Sequence, residues 1–302
     1  MTEGGHEIRE ERARVGELEI AYETFGDPAD PAVLMVMGLG SQMINWPEEL
    51  CERLAAAGLH VIRFDNRDAG RSTVLGEVPA PEFRRAAAGE AEPPYPLSDM
   101  AADAVGLLDH LGVERAHLVG ASLGGMIAQR VAIDHPDRVL SLASIMSTTG
   151  ERSVGLPSDA AREVLLTRAP SDRDAYVEAT IRARGVIGSQ PPDEARTRSF
   201  AERAFDRGYH PEGTARQLAA IVATPDRTEA LGRLRLPTVV IHGSEDALIG
   251  ISGGEATAAA IPGAELVVID GMGHDLPLWA LEPVATALLA NFARAGSAGP
   301  PP

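Results

Sequence analysis

The chain has 302 residues, 44% of them hydrophobic, with 31 glycines and 22 prolines, which suffices for one large α/β domain carrying an inserted subdomain. Its 27 basic residues are all arginines and face 44 acidic ones; the net charge of −17 repels phosphate backbones and anionic lipid, so nucleic-acid and membrane partners are not expected. Without a single lysine, a Schiff-base lysine, a P-loop lysine and a Ser–Lys dyad are excluded.

Glu7 to Arg14 and Glu17 to Phe25 read as two strands joined at Val15-Gly16 in a hairpin. Ala32 to Met37 is a near-continuous apolar run, as expected of a strand buried on both faces of a parallel sheet. It opens into Met37-Gly38-Leu39-Gly40-Ser41. Trp46 to Ala57 has helical spacing and stops at Gly58. This helix carries the single cysteine, Cys51, which cannot form an internal disulfide and reads as packed rather than reactive. Leu59 to Asp65 is the next strand, followed by the turn-rich Asn66-Arg67-Asp68-Ala69-Gly70-Arg71-Ser72. Gly76 to Pro96, with five prolines, reads as a long surface loop, and Ser98 to Leu111 as a helix with Asp99 and Asp103 near its start.

The most informative stretch comes next. Ala116-His117-Leu118-Val119 is a short apolar strand, and Gly125 to Ala132 has helical spacing. Between them stands Gly120-Ala121-Ser122-Leu123-Gly124. A serine at a sharp strand-to-helix turn has its hydroxyl exposed, flanking glycines avoid collisions, and the following helix offers free N–H groups to a developing anion. Ser122 is therefore the candidate nucleophile. A second such pentapeptide, Gly250-Ile251-Ser252-Gly253-Gly254, lacks a preceding strand; Ser252 with Glu255 reads instead as a helix capping box.

Val139 to Ser147 is a further strand. From about Gly150 to Thr228 helical patterns occur without a convincing strand: Asp159 to Arg168, Asp172 to Arg184, Pro192 to Arg207 and Thr214 to Thr224. Strand–helix alternation resumes with Thr238 to His242, a helix near Ser252 to Ile261, the strand Glu265 to Ile269 and a helix from about Leu278 to Arg294. The expected division is a core of residues 1–149 and 229–294, a helical lid of residues 150–228 and a disordered tail of residues 295–302. No apolar run reaches transmembrane length and no signal segment opens the chain, so a cytoplasmic location is expected.

A serine hydroxyl needs a base, and the base needs an orienting acid. His274, in Asp270-Gly271-Met272-Gly273-His274-Asp275, follows the last strand at the sheet's carboxyl edge and is the candidate base. Asp246, in Ile241-His242-Gly243-Ser244-Glu245-Asp246, follows the preceding strand and is the candidate acid, with Glu245 its nearest rival. Asp270 and Asp275 stand too close in sequence to His274 to orient it easily across the sheet. The backbone N–H groups of Leu39 and Leu123 are the candidate oxyanion hole. Met43, Trp46, Met126 and Trp279 read as core rather than pocket. No GxGxxG follows the first buried strand and no ligand cluster has metal spacing, so neither cofactor nor metal is expected.

The order Ser122, Asp246, His274 is that of the α/β-hydrolases. Together with Met37-Gly38-Leu39-Gly40, Phe64 to Ser72 and Gly271-Met272-Gly273-His274, it makes the chain resemble that superfamily over nearly all its length, apart from the tail and the lid. Among relatives it most resembles the aclacinomycin methylesterase-like hydrolases, sharing Met-Gly in place of the commoner His-Gly and the phrase Gly26 to Ala32. Leu39 and Leu123-Gly124-Gly125 depart from that group. The resemblance implies the α/β-hydrolase fold, a mostly parallel eight-stranded sheet with helices on both faces and a helical lid. It also implies cofactor-free hydrolysis of a small-molecule carboxylic ester through a Ser–His–Asp triad. A C–C bond hydrolase, a lactonase with the same triad and a hydrolase-fold ligand receptor stay open as alternatives, as does the oligomeric state, a homodimer included.

Overall fold

The computed structural model describes residues 10–297 apart from 77, 82, 168 and 169. The start of the first predicted strand and residues 298–302 of the predicted tail lie outside the described residues.

Eight strands form one sheet: β1 (Glu11–Val15), β2 (Leu18–Phe25), β3 (Ala32–Val36), β4 (His60–Phe64), β5 (Ala116–Ala121), β6 (Val139–Ile145), β7 (Thr238–Gly243) and β8 (Glu265–Ile269). Their order is β1-β2-β4-β3-β5-β6-β7-β8. β1 and β2 pair antiparallel, as do β2 and β4; from β4 to β8 every pairing is parallel. Every residue of β3, β4 and β5 is buried, as expected of strands covered on both faces; β3 is apolar throughout, while β4 carries His60 and Arg63 and β5 carries His117.

The helices are α1 (Glu48–Ala56), α2 (Phe83–Ala87), α3 (Leu97–His110), α4 (Leu123–Asp134), α5 (Asp159–Leu166), α6 (Arg173–Ile187), α7 (Glu194–Gly208), α8 (Pro211–Ala223), α9 (Thr228–Leu231), α10 (Ser252–Ala260) and α11 (Leu281–Ser297). Successive strand residues point to opposite faces, so one sequence feeds two cores. Leu34 and Leu118 pack with Leu107, Leu108 and Ile127 of α3 and α4. Their neighbours Met35 and Val119 pack on the other face with Leu50, Leu54, Val284 and Leu288 of α1 and α11. Cys51 belongs to that second core; its sulfur lies 3.9 Å from Met35 Sδ, and burial pushes the thiol up to about 12.

Between β6 and β7 stand α5 to α9, with no strand among the described residues. Two ion pairs, the first fully buried and the second partly so, tie this segment to the loop after β4. Arg216 of α8 reaches Asp68 at 2.7 and 2.9 Å, and Arg207 of α7 reaches Asp65 at 2.6 Å. Tyr95 Oη also donates to Asp68, at 2.7 Å.

Several expectations are corrected. The predicted helix Trp46 to Ala57 begins only at Glu48, because Pro47 lacks an N–H and holds Trp46 extended (ψ 116°); a single 3₁₀ turn, Met43–Asn45, precedes it. The stretch Gly76 to Pro96 is not a plain surface loop: it contains α2 and buries Ala86 and Tyr95. Ser252 does not cap α10 but is its first residue, and its hydroxyl accepts the N–H of Gly155 at 2.9 Å. Trp279 is not core; it is 52% exposed on a 3₁₀ turn, Leu278–Ala280. Helix α11 runs into the predicted tail as far as Ser297.

Candidate active site

β5 ends in Ala121, and the chain turns at Ser122 into α4. That turn forces Ser122 to φ 56° and ψ −121°, a region an L-residue enters only where its surroundings dictate it. The surroundings do. Ser122 N–H donates to Ile145 O at 2.9 Å, while its carbonyl accepts from Gly125 N–H at 2.9 Å and from the Ser147 hydroxyl at 2.8 Å. The close approaches demand glycine: a Cβ on Gly120 would run into the Gly124 carbonyl, and one on Gly124 into the Val36 carbonyl. A Cβ on Gly38 would stand 3.1 Å from Ser122 Cβ, so the loop after β3 lies directly beside the serine.

His274 is delivered by the loop after β8. Its Nε2 lies 3.0 Å from Ser122 Oγ and its Nδ1 2.7 Å from Asp246 Oδ2. A carboxylate only accepts, so Nδ1 carries the proton and Nε2 presents its lone pair to the serine hydroxyl. Asp246 stands just past β7 and is buried; its other oxygen accepts the N–H groups of Leu248 and Ile249, each at 2.9 Å. Its rival Glu245 is exposed and Asp270 points away to the Ser244 hydroxyl, at 3.2 Å. Asp275 reaches Ser189 instead of the imidazole.

A second histidine stands behind Asp246. His242 Nε2 donates to Ile249 O at 2.7 Å and lies 3.5 Å from Asp246 Oδ2. Burial holds His242 below the ordinary histidine value, so it faces Asp246 as a neutral ring.

Leu123 is the first residue of α4 and Leu39 lies in the loop after β3. Among the described residues neither N–H has a hydrogen-bond partner, while the next one, Gly40 N–H, is taken by Gln217 Oε1 at 2.8 Å. Gln217 sits on α8, is fully buried, and donates through Nε2 to Arg67 O at 2.7 Å. Gln42 likewise donates to the carbonyls of Ala204 and Gly208 at the end of α7, at 2.6 and 2.8 Å. Neither glutamine carries a sequence signal, since each partner is remote in the chain and no motif marks it. Among the described residues no group of three or more His, Cys, Asp or Glu side chains is placed to hold a metal, and no helix is long and apolar enough to cross a membrane.

Comparison with known proteins bears on the same fold. The alpha/beta hydrolase fold family matches residues 31–281. Rhodomycin D methylesterase DnrP of Streptomyces peucetius is 33% identical over 91% of this chain and 95% of its own length. Rhodomycin D methylesterase DauP of Streptomyces sp. strain C5 is 33% identical over the same shares. Among solved structures, the 2-hydroxy-6-oxo-6-phenylhexa-2,4-dienoate hydrolase of Rhodococcus sp. strain RHA1 superimposes with a TM-score of 0.76 at 22% identity, covering 95% of this chain and 99% of that one. The enol-lactonase of Burkholderia xenovorans LB400 gives 0.73 at 21%, covering 94% and 100%. At these identities the two structures speak to the fold alone.

Proposed function

We propose a mechanism for a chain that belongs to the alpha/beta hydrolase fold family and is a carboxylic-ester hydrolase within it. Ser122 is the nucleophile, His274 the general base and Asp246 the acid that orients it. The observation that carries this reading is the continuous line Ser122 Oγ to His274 Nε2 at 3.0 Å and His274 Nδ1 to Asp246 Oδ2 at 2.7 Å.

The chemistry follows from that line. As Ser122 Oγ attacks the ester carbonyl, its proton passes to His274 Nε2, and the imidazolium so formed is stabilised by Asp246. Negative charge gathers on the former carbonyl oxygen, for which the unpartnered N–H groups of Leu39 and Leu123 are the natural donors. His274 then gives its proton to the departing alkoxide, leaving an acyl-Ser122 ester. Water, deprotonated by the same imidazole, releases the acid and restores the serine.

Helices α5 to α8 act as the lid in this reading, since Gln217 of α8 and the end of α6 reach the loops that carry Leu39 and His274. Kinship with two methylesterases supports a methyl or other small alkyl ester of an organic acid as the substrate class.

The test is Ser122→Ala assayed on p-nitrophenyl acetate and butyrate, with a fluorophosphonate probe on the unaltered protein. Turnover should vanish while the fold is kept, and the probe should label Ser122. Turnover that survives the substitution removes Ser122 from the mechanism. A parallel panel of esters, lactones and vinylogous diketones assigns the bond cleaved.

A further inference from the structure

We infer that Ser189 and Asp275 are positioning residues that grip both neighbours of His274 and so set where its imidazole stands, an inference resting on the proposed role of His274 as base. Residues 271–276 form a loop containing two glycines, so nothing regular fixes their backbone. Gly271 and Met272 are held from the core side, through Gly271 N–H to the Ser244 hydroxyl at 2.9 Å and Glu245 N–H to Met272 O at 3.0 Å. Beyond Met272 the anchoring changes owner. Among the described residues, every hydrogen bond made by the backbone of Gly273 and His274 goes to residues 184–189, at the end of α6 and just after it.

Ser189, only 4% exposed, is the centre of this grip. Its hydroxyl accepts Gly273 N–H at 2.9 Å and donates to Asp275 Oδ1 at 2.6 Å, and its own N–H donates to the same carboxylate oxygen at 3.0 Å. One side chain therefore links the residue before His274 to the residue after it. The His274 N–H adds a bond to Ile187 O at 2.7 Å, and Arg184 lies 3.4 Å from His274 O and 3.6 Å from Asp275 Oδ2. The approach leaves no room for a side chain at residue 273, where a Cβ would stand 2.7 Å from Ser189 N. Asp246 and Ser122 hold the ring from its two nitrogens, but the Cα from which the ring hangs is held by this clamp. Proton transfer over 3.0 Å depends steeply on that placement, because an error of about 1 Å costs on the order of a hundredfold in rate.

The test measures kcat, KM and the rate of fluorophosphonate labelling for Ser189→Ala in the full chain, counted per labelled active site. We expect kcat and the labelling rate to fall together by about 10- to 100-fold, with KM within about threefold, since a displaced imidazole impairs activation of Ser122 whether or not substrate is bound. Asp275→Ala should repeat the pattern, and Asp275→Asn, which keeps an acceptor oxygen, should recover most of the rate that Asp275→Ala loses. Per-site kcat and labelling unchanged in Ser189→Ala, even beside a lowered melting temperature, overturn the inference. Should Ser189→Ala fail to fold, the Asp275 pair decides: equal rates in Asp275→Ala and Asp275→Asn overturn it, and recovery in Asp275→Asn supports it. Ser122→Ala separates the two claims. Turnover retained there removes the base role and the clamp together, whereas a dead Ser122→Ala beside a fully active Ser189→Ala sinks the clamp alone.

Discussion

Gln217 Oε1 accepts the backbone N–H of Gly40 at 2.8 Å, so a buried side chain on α8 holds the loop that carries Leu39. Its Nε2 is anchored in turn on Arg67 O at 2.7 Å, which fixes the amide plane. A donor N–H stabilises an oxyanion only if it is already aimed when charge develops.

Gln217→Leu keeps the volume but leaves Gly40 N–H without its acceptor and lets the loop relax. The expected result is a loss of about tenfold in kcat with little change in KM, smaller than the ~10²- to 10³-fold that removal of an oxyanion donor itself costs. Steady-state kinetics on a p-nitrophenyl ester read this directly. A rise confined to KM would place Gln217 in substrate binding instead.

The Asp68–Arg216 pair makes a prediction about stability. Both side chains are at most 1% exposed, and Asp68 also accepts the Tyr95 hydroxyl and Leu75 N–H. Burial alone would raise the Asp68 carboxyl, but the bonds from Arg216, Tyr95 and Leu75 outweigh it and hold the group below the ordinary carboxylate value. Removing one partner strands a buried charge, so Arg216→Met should cost about 3–5 kcal/mol in urea unfolding. A loss below about 1 kcal/mol would mean that the carboxylate finds water or another partner.

The parts of this site legible in the sequence are those where a strand end and a local motif coincide. Ser122 follows the apolar strand β5 and stands between glycines, and Asp246 and His274 follow the last two strands of the alternation, β7 and β8, so all three fall on one edge of a parallel sheet. What was not legible depends on partners without local pattern. Gln217 and Gly40 are 177 residues apart, and nothing in the spacing of α8 marks one buried amide among its neighbours. Ser189 is equally silent: its partners Gly273 and Asp275 are remote in the chain, and no local motif marks it. Trp279 misleads for the converse reason: it sits in an apolar stretch, but a 3₁₀ turn there rotates it out of the face that the following helix buries.

Glycines divide into those that space requires and those it does not. At Gly124 a Cβ would meet the Val36 carbonyl, a backbone group of a central strand that cannot step aside. Gly124→Ala should therefore destabilise by about 1–3 kcal/mol and lower the activity per folded molecule, since α4 is pushed from the sheet and Ser122 with it. Gly185 lies in α6 with open space around its Cα. There the same change should stabilise by about 0.5–1 kcal/mol, because alanine loses less conformational freedom in a helix. Thermal unfolding of the two variants should move in opposite directions. Equal shifts would refute the steric argument.

Acid sensitivity should be traceable to His117. The ring is 5% exposed, its Nδ1 lies 2.8 Å from Ser141 Oγ, and Phe292 packs against it with ring centroids 4.4 Å apart. Burial, and after it the nearby positive charge of Arg115, pushes His117 down from 6.5 to about 4. The unfolded chain then binds a proton that the folded chain refuses between those two values. The stability due to the neutral ring is complete above pH 6.5 and is lost as the pH falls toward about 4. At pH 4.5 that amounts to on the order of 2 kcal/mol. Burial holds His60 and His242 below their ordinary value as well, so they act in the same direction. His117→Gln cannot take up the proton. Its stability at neutral pH should be lower, for lack of the ring's packing, but the further loss between pH 7 and pH 4.5 should be smaller than that of the unaltered protein by about 2 kcal/mol. Urea midpoints of both proteins at the two pH values give the comparison, and because every other group titrates alike in both, an equal loss would show that His117 takes its proton without unfolding the chain.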